Sequence, residues 1–317
     1  MSGKPDAYIA YATDEGYLLP TLLSATQARA NVEASVADVA VCFIGESSAA
    51  TEAARRVCDQ NHIEFRQAPK DLIRNLPTMY ARLFLDHILE PSRERILYID
   101  GDTQIAGSLD ELAETRIGRG RVLAVRDPMT FTIDSDSHHW RDRKQYFESI
   151  GLPSRQISRY FNSGVMGFNF QDLPDIRTQC LSLLEQQKRP LRFPDQDVLN
   201  LALSGRNIDI SYKWNFPSYF LNHRGIETAV APKIYHFMSN PRPWQGPFLP
   251  WGKHFFTPYA KFLAMHPDLA HLRKTLPPWR MLKYRLQQYY KLAEENYHWR
   301  GNEFRRHVMQ VEREAIV

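Results

Sequence analysis

The chain has 317 residues, 43% hydrophobic and 24% charged, the balance of a soluble globular protein with room for one large domain or two modest ones. No run reaches the roughly 20 apolar residues of a membrane-spanning helix, the polar start carries no signal-peptide pattern, and Cys42, Cys58 and Cys180 read as dispersed, reduced thiols of a cytoplasmic protein. The formal charge of +4 is uneven: residues 251–317 hold 12 Lys and Arg against 6 Asp and Glu, a net of +6, so the first 250 carry −2, a division that points to chemistry in front and attachment to something anionic behind.

Residues 6–12 have strand composition and break at Thr13-Asp14-Glu15-Gly16, and the spacing of Leu18, Leu22, Ala25 and Ala28 predicts a helix over 18–30. A nearly continuous apolar strand follows over 36–44, then a helix over 49–61 with Glu52 placed for a capping box behind Ser47 and Ser48. Residues 63–66 form a short strand, and Thr78 is expected to cap a helix over 79–89 that Pro91 closes. An apolar run over 95–99 ends abruptly in Asp100 and Asp102. Further strands are expected over 121–125, 160–170 and 233–237, and helices over 173–187 and 193–203. Residues 129–152 read as a polar, irregular loop or acceptor-side lid; Asp134, Asp136, His138 and His139 cluster there, but no regular element fixes their spacing as metal ligands. Strands that are apolar throughout and alternate with helices predict an α/β fold, a Rossmann-like and largely parallel sheet flanked by helices. Ligands of such sheets bind beyond the carboxyl ends of the strands, where the tips at 13–17 and 100–102 fall.

Two carboxylates leaving an apolar core one residue apart repel each other and need a compensating cation. A hard divalent metal, which takes oxygen ligands and bridges to phosphate, is the simplest partner. The alternative is a solvated turn, since Asp-Gly is common turn chemistry.

Six segments occur in one order: Ala12-Thr13-Asp14-Glu15-Gly16-Tyr17, Tyr80-Ala81-Arg82-Leu83, Asp100-Gly101-Asp102, Phe161-Asn162-Ser163-Gly164-Val165, the run 195–200 (Asp-Gln-Asp-Val-Leu-Asn) and the run 236–244 from His236 to the tryptophan. Together, over roughly residues 7–245, they resemble glycosyltransferase family 8, retaining sugar-nucleotide transferases of the GT-A fold that include bacterial lipopolysaccharide galactosyl- and glucosyltransferases. The last segment departs from the family pattern twice, with Ser239 for the usual Gly and Arg242 for the usual Lys. Serine lacks the backbone freedom of glycine, and arginine replaces a point charge by a fork.

The resemblance implies that Asp100, Asp102 and His236 hold Mn²⁺, or alternatively Mg²⁺, against the diphosphate of a UDP-sugar. It puts Ala12, Thr13, Asp14 and Tyr17 at the uridine, Gly101 in the metal turn, and Ser239 and Arg242 at the leaving diphosphate. Arg82, Asp127, Asn162, Ser163, Asp195 and Gln196 fall around the donor sugar, with Gln196, Asp195, Asp127 and Arg82 as the candidate catalytic residues. Retention follows from the family; an amide is a poor nucleophile, so a front-face reaction in which the leaving phosphate helps deprotonate the acceptor asks least of these side chains. The implied reaction moves a hexose, galactose or glucose, to a saccharide or lipid-linked acceptor in cell-surface polysaccharide or lipopolysaccharide synthesis.

On this reading residues 1–250 form the GT-A catalytic domain and 251–317 a basic, aromatic helical extension. Residues 279–291 interleave cations and aromatics at helical spacing, the requirement for lying in an anionic lipid interface. Attachment through 275–306 to the inner face of the cell membrane is therefore expected, the alternative being an aromatic stripe packed on the catalytic domain. No nucleic-acid motif accompanies the charge. Two rival functions remain at this level. A haloacid-dehalogenase-type phosphatase also carries a strand-end Asp-x-Asp, but Thr103 comes one position early for its signature. A sugar-nucleotide-binding protein without activity would keep the fold.

Overall fold

The computed structural model describes residues 5–132, 138–187, 189–299 and 302–317, with 138–140 and 298 by backbone alone. Strands β1 (Ala7–Thr13), β2 (Ala37–Ile44), β3 (Glu64–Ala68), β4 (Arg95–Ile99), β6 (Val122–Arg126), β7 (Phe161–Asn169) and β8 (Asn207–Asp209) form one sheet in the order β3-β2-β1-β4-β7-β6-β8. Strands β5 (Thr103–Ile105), β9 (Phe216–Pro217) and β10 (Ile234–His236) form a second sheet in the order β5-β10-β9. All pairings in the large sheet are parallel except those of β7, which runs antiparallel to both β4 and β6. The expected α/β fold with a mostly parallel, helix-covered sheet is the observed one.

The pleat explains why the strands are apolar throughout. Along β1, Ala7, Ile9 and Tyr11 face one core cluster while Tyr8 and Ala10 face another. Helices α1 (Leu18–Ala30), α2 (Ala49–Gln60), α4 (Asp110–Glu114) and α9 (Ile226–Val230) cover the first face, and α3 (Leu85–Ile88), α7 (Leu173–Gln186) and α8 (Pro194–Ala202) the second. A third small cluster joins α5 (His138–Ser149) and α6 (Ser154–Ile157) through Tyr146, Phe147, Ile150 and Ile157.

Three local expectations change. The capping box of α2 is closed by Ser48 and Thr51, not Glu52, because Ser48 is the N-cap and the third helical residue is Thr51. Residues Thr78–Phe84 form a 3-10 run after Pro77, and Thr78 caps nothing. Tyr80, Ala81, Arg82, Leu83 and Phe84 are buried in succession, which an α-helix with one core-facing stripe does not allow. The described residues of the span 129–152 are largely helical: α5 is polar, but Tyr146, Phe147 and Ile150 supply an apolar face for docking. Asp134 and Asp136 lie outside the described residues, as do the side chains of His138 and His139.

The last part of the chain comprises α10 (Gly252–Met265), α11 (Pro278–His298) and α12 (Glu303–Glu314). Trp251, Phe255, Tyr259 and Phe262 around α10, and Phe304, Val308 and Val311 on α12, belong to the same cluster as β1 and β2. Glu312 of α12 accepts from the Tyr212 N–H and the Ser211 hydroxyl, Val317 O accepts from the Ser211 N–H, and Arg126 bridges Asp209 and Glu314. Helix α11 buries Gln288 and half-buries Met281 and Tyr284, while Trp279, Leu282, Leu286, Tyr289 and Tyr290 are exposed. Among the described residues no helix is long and apolar enough to cross a membrane.

Candidate active site

Because β1 and β4 are parallel neighbours, their carboxyl ends open on the same edge of the sheet. A cavity of about 610 Å³ lies there, lined by Ala12 and Thr13 at the end of β1, Asp14 and Tyr17 just after it, Arg82, Asp100, Gly101 and Asp102, and Asp195 at the start of α8. Sequence reasoning missed its far wall, Lys70, Asn75, Pro77, Thr78 and Met79. That wall follows the carboxyl end of β3, so the strand order was the signal that pointed to it.

The turn between the two acids is held by close packing. A Cβ on Gly101 would sit 2.0 Å from Thr21 Oγ1, so only glycine lets the turn lie against α1. Asp100 accepts at Oδ1 from Arg82 Nη2 at 2.8 Å and from the Tyr98 hydroxyl at 2.7 Å, leaving Oδ2 facing His236. Burial pushes Asp100 above the usual carboxylate range against the pull of Arg82. Asp102 is buried as well, but the neighbouring His236 and Arg242 side chains outweigh burial and hold it below the usual range.

His236 sits on β10, in the second sheet, and reaches across to the turn. Its Nε2 lies 3.2 Å from Asp102 and 3.9 Å from Asp100, and one ligand atom from each of the three falls within 4.8 Å of the others. Such separations are what metal–ligand bonds of roughly 2 Å produce, and two carboxylates with one imidazole suit a hard or borderline divalent cation. The three residues fit a metal.

Cationic groups surround this cluster. Arg82 is buried, bridges Asp100 and Asp195, and donates to the Ser163 carbonyl. Arg242 pairs with Asp102, donates to the Phe237 carbonyl, and gives Nη2 to the Tyr17 hydroxyl at 3.0 Å. Its Nε is buried without a partner among the described residues. Tyr17 is 41% exposed, lines the cavity, forms a T-shaped pair with Trp244 and has the Arg242 guanidinium 5.7 Å from its ring centroid. Asp14 uses one oxygen to cap the Gly16 N–H. Ser239 is exposed, is absent from the cavity lining, and has no positive φ, so the loop makes no demand there that glycine alone could meet.

Asp127, Asn162 and Gln196 form a buried polar cluster beside the cavity. Gln196 donates Nε2 to Asp127 at 3.1 Å and accepts at Oε1 from Asn162 Nδ2 and the Ser163 N–H. Burial raises Asp127, although the Met129 N–H, Asn162 and Gln196 all donate to it. Ser163 joins this cluster to the cavity by donating to Asp195 at 3.1 Å. The start of α8 is pinned by Asp197, fully buried, which accepts from Tyr146, Tyr160 and the Phe193 N–H.

The lipopolysaccharide 1,2-glucosyltransferase of Escherichia coli (strain K12) is 23% identical over 229 residues, 71% of this chain and 56% of that protein. The lipopolysaccharide 1,3-galactosyltransferase of Salmonella typhimurium (strain LT2) is 23% identical over 189 residues, 57% of this chain and 52% of that one. The chain thus spans little more than half the length of these curated relatives. Among solved structures, the galactosyltransferase LgtC with donor and acceptor sugar analogues has a TM-score of 0.62 at 23% identity, covering 86% of this chain and 99% of its own. The bifunctional glycosyltransferase WbbM has a TM-score of 0.65 at 17% identity, covering 86% of this chain and 51% of its own. These likenesses establish the GT-A fold. The sequence profile of Glycosyl transferase family 8 matches residues 8–246, a span holding every candidate site residue from Ala12 to Arg242, and the chain belongs to that family.

Proposed function

We propose that the protein transfers a hexose from a UDP-sugar to a saccharide or glycolipid acceptor in cell-surface polysaccharide synthesis. The observation that carries this reading is the convergence of Asp100, Asp102 and His236 beside a cavity lined by Tyr17 and Arg82, with Arg242 bound to two of its lining residues, Asp102 and Tyr17. A divalent cation bound by the three would supply charge neutralisation and Lewis acidity at the diphosphate, Mn²⁺ suiting the donor set best. Arg242 would add a fixed positive charge where the UDP anion develops. Asp14 and Tyr17 offer an acceptor and a ring face to uracil, and Arg82 and Asp195 offer a donor and an acceptor to sugar hydroxyls. Gln196 has its oxygen and nitrogen both committed inside the protein, so its support is to the shape of the sugar pocket and not to nucleophilic attack. A front-face reaction fits that commitment. The relatives named for glucosyl and galactosyl transfer favour glucose or galactose as donor.

Incubation with Mn²⁺ and UDP-glucose, UDP-galactose and their N-acetyl and uronic relatives tests the reading through UDP release. Phosphate release from monoesters would favour a phosphatase, and binding without turnover in the presence of acceptor extracts a sugar-nucleotide-binding protein. Against the phosphatase, the Thr103 hydroxyl is buried and engaged with Ser24 and the Asp100 carbonyl. The exposed aromatic and cationic side of α11 further supports work at an anionic membrane surface, on its cytoplasmic face.

A further inference from the structure

His236 can bind a cation through Nε2 only if the proton of its neutral ring sits on Nδ1. What holds it there is legible in a chain of buried amides. Asn162 Oδ1 accepts from the backbone N–H of Gly164 at 2.9 Å. A backbone N–H is only ever a donor, so the oxygen of Asn162 must face it. Asn215, 2% exposed, meets that same oxygen at 2.8 Å and must therefore present its NH₂. Its own oxygen is then turned to His236 Nδ1, also at 2.8 Å. An amide oxygen only accepts, so Nδ1 must carry a proton. The polarity of every link follows from one peptide N–H, and it ends at Nε2, 3.2 Å from Asp102.

We propose that Asn215 is a positioning residue for the metal site: it fixes the tautomer of His236 and so directs the Nε2 lone pair at Asp100 and Asp102. The inference rests on the reading of these three residues as a divalent-cation site. A second observation supports it. Gly164, whose N–H starts the chain, also leaves room for the ring, since a Cβ there would lie 2.2 Å from His236 Cε1 and 2.6 Å from Nδ1. One residue of β7 thus sets both the polarity and the place of the imidazole. The other end of the Asn162 amide donates to Gln196 Oε1 at 3.0 Å. The same polarity therefore fixes which end of Gln196 meets Asp127.

The test compares wild type with Asn215→Leu, which removes donor and acceptor at similar volume, and Asn215→Asp, which keeps the acceptor toward Nδ1. Mn²⁺ affinity in the presence of UDP is read by titration, and the His236 tautomer by imidazole ¹⁵N shifts with Mg²⁺ and UDP. Asn215→Leu is expected to lose roughly ten- to a hundredfold in Mn²⁺ affinity, as outer partners of metal-binding histidines do, and Asn215→Asp to recover part of it, since it keeps the acceptor at Nδ1 but turns a second oxygen to Asn162 Oδ1. Wild type is expected to show Nδ1 protonated and Nε2 bare. A folded Asn215→Leu with unchanged affinity overturns the proposal. So does a wild-type His236 protonated on Nε2, which needs no variant to fold. Wild type that binds no Mn²⁺ even with UDP overturns the metal-site reading itself, and this proposal with it.

Discussion

At the scale of single residues, the most exacting position is Gly164. With 2.2 Å between a hypothetical Cβ and the His236 ring, Gly164→Ala must push one of them aside. The expected cost is roughly 1–3 kcal/mol, the range for overpacking a tight interior, with weaker Mn²⁺ binding as the ring leaves Asp102. Denaturant unfolding reads the first effect and Mn²⁺ titration the second; a variant unchanged in both would show that the ring has room to move. The acids at 100 and 102 could be read from the sequence because charge at the end of an apolar strand is conspicuous. Asn215 could not. It stands between Trp214 and Phe216, both buried, and its partners His236 and Asn162 lie 21 and 53 positions away. Its role is created by the fold and leaves no local pattern.

At the scale of elements, the strands and long helices were legible wherever apolar residues repeat with a clear period, as in β1, α1, β4 and α7. Two of the changed expectations share a cause. Residues 78–84 and 138–149 owe their conformation to what they meet: Arg82 is drawn across to Asp100 and Asp195, and α5 is tied by Tyr146 to Asp197. Docking of the final helices has a titratable element of its own. His223 stacks on Phe304 of α12 with ring centroids 3.7 Å apart, and burial pulls its pKa down to about 4. Glu295, 3.9 Å away, is itself pushed upward by burial and offers little countercharge in acid. As pH falls from the ordinary histidine value toward 4, the unfolded chain takes up a proton that the folded chain refuses, so stability is lost across that window. The loss reaches on the order of 3 kcal/mol below pH 4. Melting temperatures of wild type and His223→Phe between pH 7 and 4 check this: the variant should show the shallower decline, and equal slopes would remove His223 as the cause.

At the scale of the whole molecule, α11 is a bar fixed at both ends. Met281 and Tyr284 pack on the core near its start, Glu295 accepts from Asn222 at 2.6 Å near its end, and α12 beyond it is part of the core. On the outer side of α11, Trp279, Leu286 and Tyr290 are each more than 60% exposed, beside the exposed cations Arg280, Lys283 and Arg285. Composition made this surface legible, but which side faces outward followed only from the packing of the opposite side. Replacing Trp279, Leu286 and Tyr290 together by serine should reduce co-sedimentation with anionic phosphatidylglycerol vesicles at least about tenfold, given the apolar area lost, while UDP-sugar hydrolysis is unchanged. Unaltered vesicle binding would separate α11 from the membrane. Substitution is the cleaner test than truncation, which would strip Phe304, Val308 and Val311 from the core.

The pairing of Arg242 with Asp102 has a consequence for how the pocket is loaded. The guanidinium already lies against the carboxylate that a cation would claim, and Arg82 does the same for Asp100. Each carboxylate of the turn is thus paired with a guanidinium, and a cation binding there would compete with both. A cation that binds Asp102 releases Arg242 toward whatever anion accompanies the cation, so metal and diphosphate should each favour the arrival of the other. A cation that binds only the folded chain adds to its stability, so saturating Mn²⁺ is expected to raise the melting temperature and a chelator to return it to the metal-free value.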